Sequence, residues 1–371
     1  MIVFFHLRAF TDSPLISNVF VSNADVFVDF FFVLSGFVIT YSYGNLSDND
    51  QLTSFFKKRL LRIYPLHLIL LLAFVFIETF KNYLGGFIHI NQPDNPNNNI
   101  YSFLTNLFLF NSVKLFNITD LTWNLPSWSI SAEMISYLVF GIGIFLLSKL
   151  GIISKRVFFY LGMIAACGIT IVLITGQIQF QYTYDYGFLR GMIGFFTGAL
   201  CYSAFDRSKD LLYRLPTAVF HVLEIAMVSL IPILVCCGDV FRPFGYVYEV
   251  VFFISILVFS VERGFVSTLL QKSTFLKKAG KYSYSIYMTH ALLLSLFNIV
   301  FIRILKFPVG SYTYLLFLNY YIIFKVSEWT YKHIEMRFAR SSVKGQSGHK
   351  RRESPFLPLG RKEVVRHDHS I

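Results

Sequence analysis

Charged side chains are scarce: Asp, Glu, Lys and Arg make up 15% of the 371 residues, against about 25% in an ordinary soluble domain. With a mean hydropathy of +0.56, that shortage excludes a soluble globular domain. The alternating segments of about ten residues that build a transmembrane β-barrel are missing as well. There is no internal repeat of the kind secondary transporters carry, and no CxxC or Cys/His cluster with metal-ligand spacing. The four cysteines, Cys167, Cys201, Cys236 and Cys237, fall inside or at the ends of apolar runs. They read as buried, inert thiols, and no metal site is expected. The net charge of +12 does not indicate a nucleic-acid partner, because the basic residues sit between the apolar runs and in the C-terminal tail, where membrane topology requires them.

What is present is a series of apolar runs at 1–10, 25–43, 63–84, 127–148, 157–176, 186–204, 217–237, 244–261, 283–304 and 311–331. A spanning helix needs about 20 residues, so these predict an all-α polytopic transmembrane bundle of about ten spans. The run at 1–10 is half that length, and the first span reads as truncated: either it is a short helix or the start lies upstream. It does not read as a cleavable signal peptide. Residues 1–340 form one membrane domain, and 341–371 a basic tail expected to be disordered and attracted to anionic lipid. His367 and His369 in that tail read as solvated. Between 85 and 122 runs a polar connection, with an Asn/Pro-rich loop at 91–99 and a short surface helix around 101–116.

Basic residues set the orientation. If residue 1 is cytoplasmic, each inner loop is basic: Lys57, Lys58, Arg59 and Arg62; Lys149, Lys155 and Arg156; Arg207, Lys209 and Arg214; Arg263, Lys272, Lys277, Lys278 and Lys281. The stretch from 85 to 113 carries no Lys or Arg. Both termini are therefore expected in the cytoplasm.

Ionisable groups inside spans are expensive, about 2.5–3.5 kcal/mol each at a helix centre. They comprise His6, Asp29, Glu78, Glu133, Arg190, His221, Glu224, Glu249, His290, Lys325 and Glu328, and many of them must be structural. Three stretches concentrate chemistry. Asp29-Phe30-Phe31-Phe32-Val33-Leu34-Ser35-Gly36-Phe37 precedes Arg59-Leu60-Leu61-Arg62-Ile63-Tyr64-Pro65. Arg59 and Arg62, three apart, share a helix face at the inner mouth of a span, as phosphate-binding forks or as ordinary positive-inside anchors. Pro126-Ser127-Trp128-Ser129-Ile130-Ser131-Ala132-Glu133 marks a helix start at the outer face. Its Glu133 is either a proton acceptor or a carboxylate favoured by the helix dipole. Tyr284-Ser285-Ile286-Tyr287-Met288-Thr289-His290 supplies a second histidine, a catalyst or an interhelical hydrogen-bonder.

In order along the chain, Phe4-Phe5-His6, the Asp29 to Phe37 stretch, Arg59–Arg62 with Ile63-Tyr64-Pro65, Trp128-Ser129 with Glu133, and Tyr284 to His290 resemble the acyltransferase 3 family. These are polytopic membrane enzymes that acylate extracytoplasmic sugars and other hydroxyl compounds from acyl-CoA. The resemblance covers residues 1 to about 340. It implies O-acyl transfer, with acetyl as the expected group, from acyl-CoA to a hydroxyl of a surface or lipid-linked carbohydrate in a bacterial inner membrane. By the same resemblance His6 is the catalytic imidazole, supported by Glu133. Arg59 and Arg62 bind the acyl-CoA, and Asp29, Ser35, Trp128 and His290 are candidates to line the cavity. Acyl-CoA is a co-substrate, and no permanently bound cofactor is expected. Two departures stand out. Met336 follows Glu335 where the family commonly has Pro. Only five residues precede His6, so the Arg that family members carry about ten residues before it has no counterpart. A catalytically inactive truncated relative, or a transporter or flippase of lipid-linked sugar, are the alternatives.

Overall fold

The computed structural model describes residues 1–11, 13–85 and 95–339. The tail expected at 341–371 and residues 91–94 of the Asn/Pro-rich loop lie outside the described residues. Every regular element among those described is helical. The helices used below are α1 (Ile2–Leu7), α2 (Phe27–Tyr43), α3 (Asn49–Gly85), α4 (Ile100–Leu107), α5 (Ser127–Lys149), α6 (Arg156–Thr175), α7 (Gly187–Arg214), α8 (Thr217–Cys236), α9 (Tyr246–Phe259), α10 (Phe265–Lys272), α11 (Thr274–Lys281), α12 (Ser283–Phe297) and α13 (Tyr312–Thr330).

The bundle has fewer full-length spans than the hydropathy runs suggest. Seven described helices are long and apolar enough to cross a bilayer, or eight when α9 and the segment Gly238–Phe244, bent by 95° against it, are taken as one. The runs at 1–10 and 311–331 are in neither count, and the run at 244–261 is in the larger one alone. The run at 1–10 forms only the six-residue α1 and a single 3-10 turn, Arg8–Phe10. The run at 311–331 forms the 19-residue α13, whose Tyr residues, Lys325 and Glu328 dilute its apolar character. A second correction concerns the thiols: Cys167 and Cys201 are buried, whereas Cys236 and Cys237, at the end of α8, are exposed.

The centre of the fold is the packing of α2 on α7, with α5 and α6 against the other sides of α7. Two glycines make the α2–α7 approach close enough for backbones to touch. A Cβ on Gly36 would run into the carbonyl of Phe195, and one on Gly198 into the carbonyl of Val33. Small residues at a helix crossing are the usual device where lipid supplies no hydrophobic drive. Around this pair packs a core of Phe55, Phe140, Tyr160, Phe195 and Phe196, all fully buried.

Two further arrangements position the site. The 37-residue α3 runs unbroken through Pro65, and its carbonyl at Ile63 accepts from the Tyr284 hydroxyl of α12 at 2.6 Å. At the start of α5, buried serines tie the helix to the α4 region. Ser131 donates to the Leu109 carbonyl at 2.6 Å, and Ser127 to the Asn106 side chain at 3.0 Å. The surface helix expected at 101–116 is shorter, Ile100–Leu107, and opens with an Asn99 capping box.

Candidate active site

A cavity of about 560 Å3 opens among α2, α3, α5, α11 and α12. One wall is apolar, made by Val28, Phe31, Leu34 and Val38 of α2; the polar lining comes from Ser35, Arg59, Arg62, Ser129, Glu133, Tyr137, Ser283, Tyr284 and Tyr287. Four residues that lie in three separate sequence motifs, Ser35, Arg59, Arg62 and Glu133, thus share one space.

Within this lining Ser35 donates to Glu133 Oε1 at 2.6 Å. Tyr137, one turn further along α5, donates to the same oxygen, and its hydroxyl lies 3.0 Å from Ser35 Oγ. Two hydroxyls thus converge on one carboxylate oxygen. Sequence reasoning passed over Tyr137. The available signal was its spacing, since i and i+4 share a helix face.

The two arginines reach the same lining from α3. Arg59 lies over the Tyr43 ring, 5.5 Å from its centroid, and its Nε is buried without a hydrogen-bond partner. Arg62 is half-exposed and 3.6 Å from Glu335, which also accepts from Ser285 at 3.2 Å. A guanidinium with spare donors in a cavity lining is suited to phosphate oxygens.

His6 and His290 lie outside this lining and face each other, ring centroids 5.1 Å apart. His290 is fully buried. Its Nδ1 is 2.5 Å from the Tyr287 carbonyl, and its Nε2 has no partner. Tyr287 lines the cavity and also neighbours the pair: its ring is 5.8 Å from His290, and its hydroxyl accepts from Ser129 at 2.7 Å. The described residues thus divide the candidates into a cavity group and a histidine pair outside its lining.

Asp29 and Trp128 also lie outside the lining. Asp29 is held by Arg190 of α7 in a two-point ion pair, and Arg190 in turn sits 5.3 Å from the centroid of Trp128. Trp128 is buried between this guanidinium and Phe32.

The family model described as an acyltransferase domain, acyltransferase 3, matches residues 1–326. The chain belongs to the acyltransferase 3 family. It is an integral membrane protein by this membership and by its apolar helices. A curated relative, Acyltransferase MdmB of Streptomyces mycarofaciens, is 32% identical over 152 residues, which cover 40% of this chain and 35% of that protein. The chain therefore matches about a third of the length of this acyltransferase. No solved structure matches.

Proposed function

We propose that this acyltransferase 3 protein moves an acyl group, most simply acetyl, from acyl-CoA to a hydroxyl of a cell-surface or lipid-linked carbohydrate. Its membrane is the bacterial inner membrane, with both termini cytoplasmic. The observation that carries the reading is one cavity lined by two arginines and by a hydroxyl–carboxylate cluster. Membership of the family and the likeness to a curated acyltransferase support it.

The chemistry follows from the residues. Arg59 and Arg62 take the anionic phosphates of CoA, leaving the thioester pointing inward. The apolar wall of α2 keeps water away from the thioester, and the low-dielectric surroundings strengthen each charge interaction inside. His6 takes the proton of the acceptor hydroxyl on a ring nitrogen as that hydroxyl attacks. His290 stands beside it as an acceptor whose Nδ1 is already committed to a backbone carbonyl.

The test is alkali-releasable acetate, and longer acyl esters, in the surface glycan of the native host after gene deletion. Complementation with this reading frame, with its His6→Ala version and with a version started upstream resolves the roles. Restored ester with the first and not the second is expected. Transported substrate without any ester would sink the transferase reading in favour of a transporter.

A further inference from the structure

We propose that Ser35 is the acyl-carrying nucleophile, so that transfer runs through a serine ester on α2. This rests on the acyltransferase reading and concerns the route within it. A serine inside a membrane helix ordinarily turns its hydroxyl back onto the carbonyl four residues earlier. Ser136, Ser203, Ser208, Ser260 and Ser295 do so, at 2.6–3.1 Å. Ser35 does not. Its hydroxyl leaves its own helix and crosses to Glu133 of α5 at 2.6 Å.

Two of the other cavity hydroxyls, on Tyr284 and Ser129, are engaged elsewhere. Tyr284 donates to the Ile63 carbonyl, and Ser129 to the Pro126 carbonyl and the Tyr287 oxygen. Among the described residues of the cavity lining, Ser35 carries the one aliphatic hydroxyl bonded to a carboxylate. A nucleophile within hydrogen-bond reach of a base, with that base oriented by a third group, is the general signature of covalent catalysis. Here Tyr137 is the third group. It is also 3.0 Å from Ser35 Oγ, so by turning its proton it stabilises that oxygen as charge develops there. His6 lies outside the cavity lining, next to His290, a position suited to the acceptor half of the reaction rather than the donor half.

The two halves balance. In the first, Ser35 Oγ bonds to the acyl carbon, the carbon–sulfur bond breaks, CoA leaves as the thiolate and the serine proton moves to Glu133. In the second, the acceptor oxygen bonds to the acyl carbon and its proton goes to His6. The carbon–Oγ bond breaks, and Ser35 recovers the proton held by Glu133. His6 then releases its proton to solvent, which protonates the thiolate.

The experiment incubates the full chain, purified in lipid nanodiscs, with acetyl-CoA and no acceptor, then maps acyl adducts by peptide mass spectrometry with and without hydroxylamine. In parallel, Ser35→Ala and Ser35→Cys are scored by the ester-restoration assay above. Thermal stabilisation by CoA serves as the control for folding. The expected result is a hydroxylamine-labile acetyl group on Ser35. Ser35→Ala should lose the adduct and at least about a hundredfold in transfer while still being stabilised by CoA, and Ser35→Cys should trap a thioester. An adduct on His6, or transfer by Ser35→Ala within about tenfold of wild type, overturns the proposal and leaves the transferase reading standing. A wild-type chain that neither labels nor restores any ester removes that reading itself, and this proposal with it.

Discussion

Arg190 grips Asp29 with two parallel hydrogen bonds, Nε to Oδ1 at 2.6 Å and Nη2 to Oδ2 at 2.7 Å, and both side chains are buried. The pair bolts α2 to α7 within one or two turns of the active cavity. Removing one partner of a buried ion pair strands the other charge and destabilises by about 3–5 kcal/mol. Asp29→Asn and Arg190→Met should each lower the unfolding temperature in detergent sharply, and the double variant should be less damaged than the sum of the two. Additive losses would show that the pair is not a coupled unit.

Glu133 and Tyr137 should separate by degree. Glu133→Gln removes the carboxylate that takes protons, and transfer should fall by about 10²–10⁴-fold. Tyr137→Phe leaves the carboxylate with Ser35 as its donor, so a smaller loss, about tenfold, is expected from one missing hydrogen bond to a charged group. Single-turnover rates with saturating acyl-CoA are the measurement. Equal losses would make Tyr137 a full partner in the chemistry.

Arg62 should act on binding rather than turnover. Arg62→Ala gives up charge-assisted contacts to phosphate, each about 1.5–3 kcal/mol, so KM for acyl-CoA should rise about ten- to a hundredfold with kcat little changed. Dephospho- and full-length CoA compared as competitors would report which phosphate it meets. An unchanged KM would return Arg62 to the role of topological anchor.

Glu224, fully buried on α8, caps α10 by accepting from the Gly264 and Ser267 backbone nitrogens at 3.0 and 2.8 Å and from the Ser267 hydroxyl at 2.5 Å. Glu224→Ala should expose these donors at about 1–3 kcal/mol. Gly264→Ala should do similar damage, because its Cβ would meet the Glu224 carboxyl. Both should raise amide hydrogen exchange across α10 and α11. Protection unchanged in both would mean that the helix start is held by something else.

The membrane class and the family were legible in the sequence because apolar runs and short ordered motifs are local signals. The motifs carrying Ser35, Arg59, Arg62 and Glu133 could be picked out singly, but their convergence depends on interhelical packing separated by up to about a hundred residues. Arg190 and Asp29 each stood out as an expensive charge in a span, but nothing local pairs two residues 161 positions apart. The burial of Trp128 was not legible either, because the guanidinium that covers it comes from α7. How many helical turns a segment such as 1–10 makes was not legible, since a hydropathy window sees its composition alone.

The glycine contacts between α2 and α7 act as a vernier. With Gly36 seated on the Phe195 carbonyl and Gly198 on that of Val33, α2 can neither slide by a residue nor roll about its axis without a backbone collision. Ser35 is the neighbour of Gly36, so its aim at α5 is indexed by main chain rather than by adjustable side-chain packing. Substitutions that enlarge Gly36 should therefore misdirect the hydroxyl before they unfold the bundle, and an inhibitor that wedges these two helices apart would disarm the site without touching it.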